Sequence, residues 1–179
     1  MRVIAGTARR MPLIAPKGQH TRPTSDRVKE NLFNIIASDI RDARFLDLFS
    51  GSGAIGIEAL SRGAREVVFA DTSKDAINAI KSNLDRAKLT ARVLSMCVLA
   101  AIPFLEQEGM VFDIIFLDPP YGASLLDQAL CKLGNGVLLP ADGIVIAECH
   151  IDEPKPEAGP LVLQDTREYG NTRLMFYSH

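Results

Sequence analysis

From residue 45 to residue 149 the chain alternates between two hydrophobic patterns. Short, largely apolar runs at 45–48, 66–71, 91–97, 112–118 and 143–149 are of the kind carried by strands buried on both faces. Between them, residues 54–62, 74–87, 99–107 and 125–133 read as helices. Strand and helix in alternation predict a parallel, doubly wound α/β sheet. The flanking regions differ. Runs at 2–5 and 11–15 on either side of Gly6-Thr7-Ala8 predict an N-terminal β-hairpin. After a polar loop at 18–23, Thr24-Ser25-Asp26 supplies a cap and an acid for a helix over 27–40, with Val28, Leu32, Ile35 and Ile36 as its apolar stripe. Past a proline-containing loop at 152–160, strands at 161–169 and 172–177 are separated only by Gly170-Asn171, which predicts a tight antiparallel hairpin. A sheet ending in such a hairpin is not the usual dinucleotide-binding layout.

The run at 112–118 stops at Asp118-Pro119-Pro120-Tyr121, because prolines cannot continue a ladder and fix an extended turn. A carboxylate and an aromatic ring are thereby held at the carboxyl end of a strand, where open α/β sheets bind ligands. The residue types suit one chemistry in particular. An exocyclic amine on a nucleobase is a poor nucleophile, since its lone pair is delocalised into the ring. The Asp118 carboxylate and the Pro119 carbonyl can each accept one of its N–H groups, which orients the lone pair and favours the charge developing on nitrogen. Tyr121 can stack on the base. The competing reading is a strand-ending turn with a surface tyrosine.

Gly51-Ser52-Gly53-Ala54-Ile55-Gly56 follows a strand and opens a helix, a literal dinucleotide fingerprint, and Asp71 stands where a ribose-binding acid belongs. Asp47, just before the glycines, would oppose a pyrophosphate but attract the ammonium and sulfonium groups of S-adenosylmethionine. The Asp-Pro-Pro-Tyr turn also has no evident role in hydride transfer. Both features favour S-adenosylmethionine over NAD, although Gly56 can equally serve close helix–strand packing.

Charge sharpens this picture. The 179 residues carry a net charge of −2, which argues against a uniformly basic nucleic-acid binder. Residues 1–31, however, hold seven Lys and Arg against two acids, for +5, and the remainder is −7. A basic end on an acidic body suits local contact with a polyanion, and the alternative is a solvated tail. Cys97, Cys131 and Cys149 are odd in number and widely spaced, and the three histidines are scattered, which argues against disulfides and a metal site and fits a reducing cytoplasm. No apolar run approaches the roughly 20 residues of a membrane span. The length and hydrophobic content suit a single domain, residues 1–179, with 1–23 as a basic extension.

The segments Asp47-Leu-Phe-Ser-Gly-Ser-Gly-Ala-Ile-Gly, Glu58-Ala-Leu-Ser-Arg-Gly-Ala and Asp118-Pro-Pro-Tyr resemble the bacterial 16S ribosomal RNA guanine-N2 methyltransferases. So do Arg2-Val-Ile-Ala-Gly, the block from Arg22 to Asn34, and the late Tyr169-Gly-Asn-Thr-Arg-Leu, so the resemblance spans nearly the whole chain. It implies a seven-stranded class I methyltransferase sheet, S-adenosylmethionine as cofactor, and small-subunit ribosomal RNA or its assembly particle as partner of a monomeric enzyme. Asp47, Ser50, Gly51, Gly53, Asp71, Cys97 and Asp118 would bind the cofactor; Asp118, Pro119 and Tyr121 would carry the chemistry; and Arg9, Arg10, Lys17, Arg22 and Arg27 would hold RNA. One departure stands out: Cys97 occupies the end of the third strand, where such enzymes usually carry Asp or Asn. The rival readings are a DNA adenine-N6 or cytosine-N4 methyltransferase, a protein-glutamine methyltransferase, a nicotinamide-dependent oxidoreductase, and an inactive RNA-binding relative.

Overall fold

The computed structural model describes residues 1–16, 25–120 and 123–179. Within them, β1 (Arg44–Leu48), β2 (Glu66–Asp71), β3 (Arg92–Ser95), β4 (Ile114–Leu117) and β5 (Ile144–His150) form a parallel set, and β6 (Val162–Tyr169) and β7 (Thr172–Ser178) form an antiparallel hairpin beside it. The sheet order is β3-β2-β1-β4-β5-β7-β6, and β7 runs antiparallel to β5. The order reverses between β1 and β4, which places a ligand crevice above the carboxyl ends of those strands.

Among the described residues, five helices cover the two faces: α1 (Asp26–Ile35), α2 (Ala54–Ser61), α3 (Lys74–Ala87), α4 (Val98–Gln107) and α5 (Ala123–Asn135). Alternation along each strand sorts the core. Leu46, Leu48, Ile115, Leu117, Val145 and Ala147 pack with the α4 and α5 side chains. Phe45, Phe69, Ile114, Phe116 and Ile146 pack with those of α1, α2 and α3. Two of the helices open on serine caps. Ser25 Oγ accepts from the Val28 N–H at 3.2 Å, and Ser73 Oγ from the Ala76 N–H at 3.3 Å.

Several boundaries move from their sequence positions. The helix expected over 27–40 ends at Ile35, and the chain turns through Ser38 and Asp39, short polar residues that compete locally for hydrogen bonds. The N-terminal runs pair through a single antiparallel bridge, Arg2 to Pro12, rather than two full strands. Side chains of the helical layer take up the remaining backbone groups. Glu58, fully buried, accepts from the Ile4 and Ala5 N–H groups at 2.7 and 2.9 Å and from Arg62 Nε at 2.8 Å. Lys29 Nζ lies 3.4 Å from Glu58 Oε2 and donates to the Arg2 carbonyl. Burial pushes the Lys29 amine below its usual range, opposed by Glu58. Lys29 therefore contributes to the fold and not to the basic surface that the count over residues 1–31 suggested. Gly6 completes the attachment: with φ +80° it lies so close to α2 that a Cβ would sit 1.6 Å from the Ser61 carbonyl oxygen.

Candidate active site

Four adjacent strands each present a carboxylate on one face at or near their carboxyl ends. Asp71 ends β2, Asp47 lies in β1, Asp118 follows β4 and Glu148 lies in β5. Each is two residues beyond an aromatic or aliphatic side chain of the α1–α3 face, namely Phe69, Phe45, Phe116 and Ile146, so the strand period turns all four to that side. Asp71, Asp118 and Glu148 line a cavity of about 460 Å³. That is ample for a small-molecule ligand.

Asp47 does not line it. At 2% exposure it sits behind the glycine loop, where its Oδ2 accepts from the Gly56 N–H at 2.9 Å. Burial pushes its carboxyl up to about 8; the Gly56 hydrogen bond opposes this, and Asp118 and Asp71 add to it. Asp47 thus supports the loop from beneath. Ser50 is likewise internal, with its Oγ donating to the Asp47 carbonyl and accepting from the Ala70 N–H. Gly53 and Gly56 serve packing: a Cβ on Gly56 would meet Phe69 Cε1 at 2.3 Å, and one on Gly53 (φ +76°) would meet Ile80 Cγ1 at 3.1 Å. Gly51 is the loop glycine on the cavity wall.

Asp71 joins loop to strand end. Its Oδ2 accepts from the Gly51 N–H at 2.9 Å and its Oδ1 from the Ser73 N–H at 2.8 Å. Each oxygen retains a further lone pair, so vicinal hydroxyls can still bind there. Phe49, Met96, Val98 and Leu99 give the same part of the cavity an apolar wall. Cys97 lies on this wall, exposed, two residues past the end of β3 and at the N-cap of α4, where its side chain makes no capping bond. The strand expected to reach it stops at Ser95.

Beyond Asp118 and Pro119 the cavity continues between Ser25 and Val28 of α1 on one side and Glu148, His150, Tyr169, Asn171 and Thr172 on the other. None of these was assigned to the site from sequence, where Ser25 served only as a helix cap and Val28 as core, although Ser25, Val28 and Tyr169 to Thr172 all lay in segments that carried the family resemblance. Arg173 holds this end of the sheet together: its Nη1 donates to the Glu153 carbonyl at 2.9 Å and its Nη2 to the Ile151 carbonyl at 2.7 Å.

The expected RNA contacts separate. Arg27 is exposed on α1 between cavity-lining Ser25 and Val28. Arg9 and Arg10 instead share a shallow basin with Arg86 and Lys88 at the far end of α3. Lys17, Arg22 and Tyr121 lie outside the described residues. Among the described residues no cluster of His, Cys, Asp and Glu could hold a metal ion, and no helix is long and apolar enough to cross a membrane.

Residues 1–178 match the family model described as Conserved hypothetical protein 95. The chain belongs to that family. It is 36% identical to the Ribosomal RNA small subunit methyltransferase D of Haemophilus influenzae, over 97% of this chain and 92% of that protein. Among solved structures, the hypothetical protein TTHA0928 of Thermus thermophilus superposes with a TM-score of 0.86 at 31% identity, covering 100% of this chain and 99% of that one. The 16S rRNA N2 G1207 methyltransferase RsmC of Thermus thermophilus, solved with AdoMet and guanosine, gives a TM-score of 0.70 at 21% identity over 90% of this chain and 44% of that one, a likeness of fold. The described residues of the segments that carried the resemblance thus belong to a class I methyltransferase fold, with Gly51, Asp118 and Pro119 on one cavity.

Proposed function

We propose that the protein transfers a methyl group from S-adenosylmethionine to the exocyclic N2 amine of a guanine in small-subunit ribosomal RNA. One observation carries the reading: Asp118 and Pro119, at the carboxyl end of β4, share a single cavity with Gly51 and Asp71. The names of the relatives in the family support ribosomal RNA as the substrate, and the AdoMet and guanosine bound by the structurally similar RsmC support the cofactor and base.

When bound, S-adenosylmethionine supplies an electrophilic methyl on a sulfonium. Asp71 would accept from its ribose hydroxyls, and the Phe49, Met96 and Leu99 side chains would hold its adenine. The target base is taken out of its stack to reach the cavity. Asp118 and the Pro119 carbonyl accept the two N–H groups of the amine, so that its lone pair faces the methyl. Transfer of that methyl to the amine would leave the electron pair of the broken S–C bond on the cofactor's sulfur. The Asp118 carboxylate stabilises the positive charge on nitrogen until the surplus proton passes to solvent water. Catalysis is positioning plus electrostatics.

Arg9, Arg10, Arg86 and Lys88 form a phosphate-binding basin. Ser73, on the cavity wall, caps one end of α3 and Lys88 the other, so the 14-residue helix separates basin from cavity. At 1.5 Å per residue that is about 21 Å, which suits a folded RNA rather than a short strand. Incubating the protein with methyl-labelled cofactor and small-subunit ribosomal fractions tests the reading: label in the 16S RNA is expected, and a complete lack of transfer, or tight NAD binding, overturns it.

A further inference from the structure

Glu148 stands beside Asp118. In the parallel β4–β5 pairing Leu117, the last residue of β4, aligns with Ala147, so continuing that register by one residue sets Asp118 beside Glu148, and both line the cavity. Such strands are separated by about 4.8 Å. Phe116 and Ile146, two residues earlier, are also register partners and lie on the α1–α3 face, so both carboxylates project to that side. Both line the cavity, and Glu148 is 7% exposed. The residues flanking it on β5, Ala147 and Cys149, belong to the opposite core. On so sheltered a wall, a donor that a ligand brings to the carboxylate counts for more than it would in water.

Guanine offers such donors in the right order. Along its Watson–Crick edge the N2 amine and the N1–H are adjacent, both donating. Adenine presents an acceptor at N1, and so does 2-aminopurine, which nevertheless keeps the same N2 amine. We propose that Glu148 accepts the N1–H of the target guanine while Asp118 and Pro119 hold the amine. Glu148 is then the specificity-determining residue, and the Asp118–Glu148 pair recognises two contiguous donors and repels a base with an N1 lone pair. This rests on the guanine-N2 reading above and names the residue that enforces it.

The test uses the full-length protein. After the methylated nucleotide has been mapped, 16S RNA carrying either guanine or 2-aminopurine at that nucleotide is made by splinted ligation. Methyl transfer is then compared for the wild type and Glu148→Gln. The wild type should prefer guanine by about 10-fold or more in kcat/KM, the size expected of a hydrogen bond to a charged group. Glu148→Gln, whose amide can donate to an N1 acceptor, should lose rate on guanine and gain on 2-aminopurine, so that the ratio collapses or inverts. An equal fall on both bases, with the ratio kept, overturns the proposal and leaves Glu148 a structural residue. A wild type that uses both bases equally well overturns it without any variant. A wild type whose methyl group maps to a nucleotide other than guanine overturns the guanine-N2 reading itself.

Discussion

The Gly56 N–H donates to Asp47 Oδ2 at 2.9 Å behind the cavity wall, so the first helical turn after the glycine loop is tied to the central strand by a buried carboxyl. Burial, and secondarily the neighbouring Asp118 and Asp71, hold that carboxyl at about 8 in the folded chain, whereas it returns to about 4 on unfolding. Between those values the folded state binds a proton that the unfolded state does not, so Asp47 lowers stability as pH rises through the window. Asp47→Asn keeps an oxygen for the Gly56 N–H and removes the titration. Its stability relative to the wild type should therefore increase from pH 5 to pH 8 in chemical denaturation. Parallel pH profiles would show that Asp47 is not held protonated.

Cys97 gives a second expectation. A thiol accepts hydrogen bonds weakly, and Cys97 lies on the cavity wall, so with the cofactor bound as proposed an oxygen acceptor here would meet the adenine amino group. A typical hydrogen bond contributes about 0.5–1.5 kcal/mol net, and a solvent-exposed carboxylate gains little beyond that, so Cys97→Asp should tighten S-adenosylmethionine binding roughly 2- to 13-fold in calorimetry. Because Cys97 is exposed and is the N-cap of α4, the new carboxylate remains hydrated and can also cap the helix. The melting temperature should hold or rise. A lower melting temperature without tighter binding would refute the assignment.

The basin predicts a salt effect that is independent of the cofactor. Replacing Arg9, Arg10, Arg86 and Lys88 together with alanine should weaken RNA binding and reduce the salt slope by about one unit for each phosphate left without its cation. Cofactor affinity should be unchanged, since the basin lies a helix length from Asp71. An unaltered slope would make these side chains ordinary solvated surface.

How much of this was legible in the sequence depended on whether the cause was local. Asp118 could be placed because two prolines stop its strand within the same tetrapeptide, and Gly56 because its spacing brings α2 against Phe69. Partners distant in sequence were not legible. Glu148 joins Asp118 only through the β4–β5 register, and Arg86 and Lys88 join Arg9 and Arg10 only once the N-terminal segment has been fastened along the helices. Lys29 counted as surface charge because nothing beside it in the chain announces Glu58, which neutralises it in the core. The strand that carries Asp47 was legible, but its burial behind the loop was not, since that is a property of packing rather than of spacing.

Nucleoside analysis by mass spectrometry, after digestion of 16S RNA treated with the wild type or with Asp118→Ala, tests the central claim most directly. Asp118 supplies one preorganised acceptor for the amine, and removing such a group typically costs about 100-fold or more in rate. Because Asp118 is proposed to act on the base, cofactor affinity measured alongside should change little. The account predicts N2-methylguanosine as the product of the wild type, formed at least ~100-fold more slowly by Asp118→Ala. Methyl label recovered as N6-methyladenosine or N4-methylcytidine, or near-normal formation of N2-methylguanosine by the variant, would contradict it.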